Sequence, residues 1–452
     1  MRSADGPYVR HYIISSLLRA TLAPIVPVWL TQRCFTQLAV YIPEAYTRVD
    51  LRCGRRLTAP TQTAMCHPLP PEILDLIVDQ LHDEPTALRA CCLVSKSWVP
   101  RSRAHLFAHI ELSHTSFERW MKAFPDPLNS PARCTRTLSV HEHQLVAVAG
   151  PDVAHRICAL PLHNVVRLSI FSESGGSGSG WMSLVPFYGL SPTIRSLRLV
   201  LFHSAGSSEI FGLVCSFPLL EDFDLRDFGC WSWIDRWTPP STSPRLTGTL
   251  ALYSMAGGID LIIRRLLALP NGLNFTKIVL RCVRGASDLK SIADLVSGCS
   301  GTLETLEVSD HYPCELLRSL CLIDTLLPHS ARSTATSFDL SVATKLKHLT
   351  FKCAGPSIQW ITVALRTVES KNLQGIALWP NTDVFAHIDM VTEPILQQWY
   401  DLDRLLVQLW TSHSIRPKVT YETGGRRMDM KDHVPHLLPE LTKSGVVDLC
   451  LC

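Results

Sequence analysis

The sequence predicts an α/β chain: three short helices, then a stack of strand-plus-helix units, then a terminal capping region. Two observations predict it. Residues 69 to 107 hold three short apolar phrases at helical spacing, and downstream one apolar–variable–apolar phrase recurs nine times at a nearly constant interval with helical phrases between.

Composition narrows the field first. The chain has 452 residues, 46% of them hydrophobic, which is enough apolar material for one large or two or three ordinary domains. With 43 Lys and Arg against 40 Asp and Glu and no basic run, nothing in it is built to track a phosphate backbone. Protein partners or small molecules fit this balance; nucleic acid does not. The sixteen cysteines are scattered, no C-x-x-C occurs and Cys91 and Cys92 are adjacent, so they read as reduced thiols of a cytoplasmic or nuclear protein.

Residues 1–66 differ from the rest, with Arg2, Arg10, Arg19 and Arg33 between apolar stretches and few acids before Glu44. They are expected to form a weakly ordered extension, a transit peptide being the alternative. The apolar run from Ala20 to Leu30 is broken by Pro24 and Pro27 and is too short to span a bilayer, so no membrane partner is expected.

Leu69-Pro70-Pro71-Glu72 opens the first helix, with prolines where a missing N–H costs nothing and an acid in the first turn. Ile73, Leu74, Ile77 and Leu81 form a stripe at helical spacing. His82-Asp83-Glu84-Pro85 ends this helix and starts a second, in which Leu88, Cys91, Cys92 and Val94 are expected to be buried. Ser95 is placed to cap a third, which runs through Trp98 toward Leu106 and Phe107 with Pro100 in its first turns. Three helices of about ten residues each make a marginal core, so such a unit docks on something larger.

These residues resemble an F-box: Leu69-Pro70, Glu72-Ile73-Leu74, Leu81, Leu88, Val94-Ser95-Lys96 and Trp98 stand in its order, and "RAHLFAHIEL" follows as in fungal members. The resemblance covers roughly forty residues and assigns the F-box to 67–112. It implies insertion into the Skp-type adaptor of SCF ubiquitin ligases, which are built on a cullin and a RING protein. By that pattern Leu69, Pro70, Ile73, Leu74, Ile77, Leu81, Leu88, Val94 and Trp98 touch the adaptor or hold the helices that do. Cys92 and Pro100 depart from it slightly. In the alternative reading the three helices only cap the domain that follows.

The recurring pairs are Leu138/Val140, Leu168/Ile170, Leu197/Leu199, Phe223/Leu225, Leu250/Leu252, Ile278/Leu280, Leu306/Val308, Leu349/Phe351 and Ile376/Leu378. Their first members are 30, 29, 26, 27, 28, 28, 43 and 27 residues apart. A period near 28 marks stacked units. Between them lie helical phrases: Ile210, Leu213, Val214 and Phe217; Ile259, Ile262, Ile263, Leu266 and Leu267; Leu289, Ile292, Leu295 and Val296; Ile358, Ile361, Leu365 and Val368. One strand and one helix per period, with phrases such as "SFPLLEDFDL" and "GTLETLEV", resemble a leucine-rich repeat of the longer kind. An irregular leucine-rich-repeat solenoid is therefore expected over 113–383, a plain α/β domain being the alternative.

The asparagine or cysteine usual after the third leucine is mostly missing, so the turns must satisfy their backbone another way. The 43-residue interval fits one unit with an insertion around Ser330 to Ser341. Beyond it, residues 384–452 leave the pattern: Ile395, Trp399, Leu402, Leu405, Leu406 and Leu409 predict a longer helix, followed by a strand near Val419 and a last helix. This region is assigned as a C-terminal cap.

No phosphate-cradling glycine motif occurs, and the serines of "SGGSGSGW" at 174–181 fall at the wrong offsets for a nucleophile elbow. His141-Glu142-His143 lacks a third ligand, so no metal is expected, nor any cofactor. Cys450-Leu451-Cys452 resembles the prenylated tail of Rab-type GTPases, without any GTPase motif beside it. The chain is not expected to be an enzyme. Ubiquitin transfer needs a reactive cysteine or a zinc-bound RING, which here would belong to partners.

In a curved stack the residue between the paired apolar positions faces a ligand. Those residues are Ser169, Arg198, Asp224, Ala251, Val279, Glu307, Thr350 and Ala377, with Lys277 and His348 one step earlier. Arg198, Asp224 and Glu307 are the charged candidates for substrate binding. Trp231, Trp233 and Trp237 in "DFGCWSWIDRWTPP" are the aromatic ones, unless they pack over neighbouring repeats. The expected role is that of the substrate receptor of an SCF-type ligase, binding a protein substrate through the repeats. The alternative is a repeat scaffold unconnected with ubiquitination.

Overall fold

The computed structural model of the chain describes residues 70–141, 145, 152–172, 183–201, 206–226, 237–254, 258–281, 283, 286–309, 338–353, 358–380, 393–415, 417–421, 435–445 and 448–451. Leu69, Trp231, Trp233, the extension 1–66 and residues 310–337, which include most of the insertion expected around Ser330 to Ser341, lie outside them. The described chain divides into two compact units, residues 70–110 with 128–136, and residues 111–127 with 137–451.

The first unit holds three helices: α1 (Pro71–Asp79), α2 (Pro85–Val94) and α3 (Val99–Leu106). Each has a proline in its first turn, where no intrahelical N–H is lost. Val78, Leu81, Ala87, Leu88 and Cys91 form the core, with Trp98 and Leu106 packed against it. Two expectations are corrected here. The core-facing residues of α1 are Val78 and its neighbour Leu81, and Ile73, Leu74 and Ile77 stay partly exposed; in α2, Cys92 and Val94 are likewise only half-buried. Ser95 does not cap α3, because Trp98 occupies the cap position and Ser95 instead closes the preceding turn, its carbonyl accepting the Trp98 N–H at 3.1 Å.

The strand β1 (His109–Leu112) crosses from the first unit to the second, where α4 (His114–Ala123) starts on a capping box of Ser113 and Ser116. The rest of the second unit alternates strands and helices. In chain order the strands are β2 (Thr137–His141), β3 (Arg167–Ser172), β4 (Ser196–Leu201), β5 (Asp222–Arg226), β6 (Thr249–Tyr253), β7 (Lys277–Arg281), β8 (Thr305–Ser309), β9 (His348–Cys353), β10 (Gly375–Pro380), β11 (Pro417–Tyr421) and β12 (Asp448–Leu451). They form one sheet whose order in space is the order in the chain, and each pair from β2 to β12 is parallel.

The register is the same at every step. Leu138, Leu168, Leu197, Phe223, Leu250, Ile278, Leu306, Leu349 and Ile376 stand side by side in one row, and their partners two residues on stand in a second. Both rows are fully buried. The helices between strands bury most of the apolar residues of those phrases: Ile210, Leu213 and Val214 of α6 (Ser207–Ser216), Ile259, Ile262, Ile263 and Leu266 of α7 (Ile259–Leu267), Ile292, Leu295 and Val296 of α8 (Ala286–Gly298), and Ile361 and Leu365 of α9 (Gln359–Arg366), following α5 (Val153–Cys158), while Leu267, Leu289 and Val368 are only half-buried.

Turn backbone groups are satisfied without an asparagine ladder. Ser191 Oγ donates to the His163 carbonyl at 2.9 Å and Thr193 Oγ1 to that of Val165 at 3.0 Å. Thr302 Oγ1 donates to Phe275 O at 3.1 Å, and Ser370 Oγ reaches Leu346 O at 2.8 Å and Thr344 O at 3.0 Å. Amides serve at Asn372, bonded to Thr344 O, and at Asn271, bonded to Ser243 O. Each of these links spans one repeat, so it fastens a unit to its predecessor.

The expectation that the pattern ends before residue 384 is corrected. After the 21-residue helix α10 (Glu393–His413), β11 pairs with β10 and β12 with β11, placing Val419 and Leu449 in the inner row beside Leu378. The strand expected near Val419 is therefore β11, displaced from the regular interval by the long helix. The short helix α11 (Pro439–Ser444) is held to α10 by buried Asp403, whose carboxylate accepts the N–H groups of Glu440 at 2.7 Å and Leu441 at 3.0 Å. Burial pushes the Asp403 carboxyl up despite these donors.

Ser370 is buried and serves two carbonyls of the preceding unit, so Ser370→Ala takes the hydroxyl from Leu346 O, while Thr344 O keeps the Asn372 amide at 3.1 Å. The expected loss is about 1–3 kcal/mol, measured by urea unfolding of wild type and variant; an unchanged midpoint would show that water replaces the hydroxyl at no cost.

Candidate functional site

Two surfaces stand out, one in each unit. On the helical unit, Leu76 is 58% exposed and Leu93 88% exposed, the largest apolar side chains left in solvent there. Pro70 is also exposed, and Ile73, Leu74, Ile77, Val94 and Trp98 are partly so. Of the residues expected at an adaptor contact, only Leu81 and Leu88 are core. Leu76 and Leu93 escaped the sequence reading because they fall off the apolar stripe that it followed; the signal was that α1 carries apolar residues on more than one face.

This unit is braced by one charge cluster. Asp79 of α1 accepts from Arg101 Nε at 2.5 Å and from its terminal nitrogen at 2.6 Å, and from His105 Nε2 at 2.7 Å, both on α3. The Arg101 hydrogen bonds are the chief reason that the Asp79 carboxyl lies at about 2 rather than 3.8, and the pairing raises Arg101 in turn. The bidentate fork fixes the approach of α1 to α3 while leaving the outer face of α1 uncovered.

The second surface is the outward face of the sheet. The register places Ser169, Arg198, Asp224, Ala251, Val279, Glu307, Thr350 and Ala377 in one outward row. The next row holds His141, Phe171, Val200, Arg226, Tyr253, Arg281, Ser309, Lys352 and Trp379. The expectation that all of the first row meets solvent fails at Ala251 and Val279, which are buried. Short side chains there lie beside Arg226, Tyr253 and Arg281, long ones that cover them.

Between them the two rows build a continuous side-chain ladder. Glu111 lies 3.1 Å from His141, whose ring stacks on Phe171 at 4.7 Å. The Arg198 guanidinium sits 5.6 Å over the Phe171 ring and 3.5 Å from Asp224. Asp224 takes Arg226 at 2.8 Å, and Arg226 and Arg281 lie over the ring of Tyr253 at 4.3 and 4.6 Å. Arg281 reaches Glu307 at 3.5 Å, Glu307 takes Lys352 at 2.9 Å, and Lys352 lies 4.5 Å over Trp379. Ion pairs and ring contacts follow one another across ten strands, each holding the next side chain in place.

Arg198, Asp224 and Glu307 are thus brought into one array. Trp237 is not part of it: its ring packs at 5.1 Å on Phe211 of α6 and under Arg265 at 5.4 Å, lining a 430 Å³ cleft with Cys215, Pro240 and Thr242. Sequence reasoning missed Phe171, Arg226, Tyr253, Arg281, Lys352 and Trp379. They become a row only once the repeats are aligned two residues beyond the outward position.

Burial pushes the Cys158 thiol up to about 12 and those of Cys215 and Cys299 to about 11. Among the described residues no three His, Cys, Asp or Glu side chains are grouped to hold a metal, and no helix is long and apolar enough to cross a membrane. His141 is engaged by Glu111 and Phe171; Glu142 and His143 lie outside the described residues.

A depressed carboxyl stabilises the fold above its unfolded value and loses that contribution as pH falls through its folded value. Asp79→Asn is therefore expected to lower the melting temperature at neutral pH, with the gap to wild type closing between pH 3.8 and about 2. Melting curves across that range check it, and a gap that persists at the acid end would assign the loss to geometry rather than charge.

Compared with models of known protein families and with curated proteins, the chain matches none.

Proposed function

We propose that the chain is the substrate receptor of an SCF-type cullin-RING ubiquitin ligase, its helical unit serving as an F-box for the Skp-type adaptor and its parallel ladder serving as a leucine-rich-repeat solenoid for substrate. One observation carries the reading. A unit whose core is five residues leaves Leu76, Pro70 and part of Ile73, Leu74 and Ile77 of α1 uncovered, with Leu93 of α2 exposed as well, apolar surface of the kind that marks a protein-binding site.

The resemblance of residues 69–98 to an F-box says what would cover it. For the repeat reading, support comes from one strand per period of 26 to 30 residues, an unchanging register and turn bonds that reach back one unit. In this role the chain binds and its partners carry the chemistry. Holding substrate on the adaptor makes ubiquitin transfer nearly intramolecular, without a reacting group here. The chain would act in the cytoplasm or nucleus, where its thiols stay reduced.

Ile73 and Leu76 lie outside the core, so Ile73→Asp with Leu76→Asp is expected to spare the fold and abolish capture. Co-purification of the full chain with the Skp-type adaptor reads this, with circular dichroism as the folding control. A well-folded wild type that captures no adaptor sinks the receptor reading and leaves a repeat scaffold.

A further inference from the structure

We propose that the outward face of the sheet takes an acidic, extended protein segment whose carboxylates engage Arg198 and Arg281. The proposal deepens the reading of this face as the substrate surface and rests on it. Its first ground is charge. From β4 to β9 the ladder carries four cations, Arg198, Arg226, Arg281 and Lys352, against two carboxylates, Asp224 and Glu307. The carboxylates also lie deeper, with side chains 23% and 18% exposed, where Arg198 is 40% and Arg281 35% exposed. A partner arriving from solvent meets guanidinium before carboxylate.

The second ground is unused donor capacity. Arg226 gives its Nε to both Asp224 oxygens, at 2.9 and 3.0 Å, and Lys352 sits 2.9 Å from Glu307. Arg198 and Arg281 each approach their acid only to 3.5 Å, and the Nε of each is buried without a hydrogen-bond partner among the described residues. A guanidinium has five N–H groups set for bidentate carboxylate binding; with the Nε buried, the terminal N–H groups of the partly exposed Arg198 and Arg281 are the ones that would engage a partner. Stacking on Phe171 and Tyr253 already holds both groups in place, so little side-chain entropy remains to be lost on binding.

Spacing fixes the form of the partner. Arg198 in β4 and Arg281 in β7 are three strands apart across the sheet and two residues apart along it, about 16 Å at the usual spacings. An extended chain covers that in roughly four to five residues, and acids four apart fall on the same side of it. Nucleic acid fits less well: a phosphate at every residue would meet Asp224 and Glu307, and the rings of Phe171, Tyr253 and Trp379 already carry cationic groups.

The test uses the full chain and a short fluorescein-labelled peptide alternating Glu and Ser, with Gln–Ser and Lys–Ser peptides and a single-stranded RNA oligonucleotide beside it. Fluorescence anisotropy is expected to give saturable binding of the Glu peptide alone, weakening as salt rises. Arg198→Gln with Arg281→Gln should weaken it about tenfold or more. Glu307→Gln, which removes a competing acid, should tighten it, and this variant decides the matter if the double variant does not fold. No binding of the Glu peptide, equal binding of the Gln or Lys peptide, preference for RNA, or indifference to Glu307→Gln overturns the proposal. Adaptor capture by the same preparation is read separately. Capture without peptide binding removes only the acidic specificity, and peptide binding without capture removes only the receptor role.

Discussion

Everything in the second unit depends on the constancy of its parallel register. Side chains alternate across a strand with period two, so a slip of one residue at any pairing would send an apolar row to solvent and a charged row into the core. No step slips from β2 to β10: Leu138 is linked through seven intermediate strands to Ile376 in a single buried row. The same alignment orders the outward face. Arg198, Asp224, Arg226, Tyr253, Arg281, Glu307 and Lys352 come from six strands far apart in sequence, yet each touches the next because the inner rows fix their height.

Keeping that register needs each unit tied to the one before it, and backbone bonds do most of this. Arg195 and Ser196 donate together to the Val166 carbonyl, Glu304 and Thr305 to that of Thr276, and Lys347 and His348 to that of Glu304. The last of these crosses the long interval with no change in geometry, so the inserted residues leave the pairing of β8 and β9 intact. Around these bonds the chain uses whichever polar side chain lies near: hydroxyls at Ser191, Thr302 and Ser370, amides at Asn271 and Asn372, and the Asp222 carboxylate, which accepts the Thr249 N–H at 2.6 Å. A degenerate consensus is stable here because the requirement is for a donor or acceptor within reach, not for one residue type.

That tolerance also explains what the sequence revealed and what it hid. The inner rows were legible at all nine pairs, since burial on one face admits only apolar residues and leaves a period to read. β11 and β12 were not recognised as repeats, because the 21-residue α10 breaks the interval and Pro417 stands where an apolar aliphatic residue is expected. In the first unit the existence of three helices was plain, but the inward side of α1 was not legible. Ile73, Leu74, Ile77 and Val78 are all apolar, and only packing selects Val78 and Leu81 for the core. The ladder was half visible: Arg198, Asp224 and Glu307 were marked as outward, whereas their partners two residues on carry no pattern of their own.

The two surfaces differ in kind, and the difference bears on how each can recognise a partner. The face of the helical unit is apolar, with Leu76 and Leu93 in water, so covering it yields hydrophobic stabilisation that depends little on salt. The sheet face buries its small residues Ala251 and Val279, and what it presents to solvent is a lattice of charges with the half-buried rings of Phe171, Tyr253 and Trp379 between them. Affinity there must come from charge and hydrogen bonding, which are weak where flexible side chains must first be ordered. The ladder removes that obstacle in advance: Arg226 and Arg281 are held on Tyr253, Arg198 on Phe171 and Lys352 on Trp379 before any ligand arrives. Cations fixed in this way read the spacing of a partner's charges rather than their mere number, which is the property a surface needs if it is to choose among acidic segments.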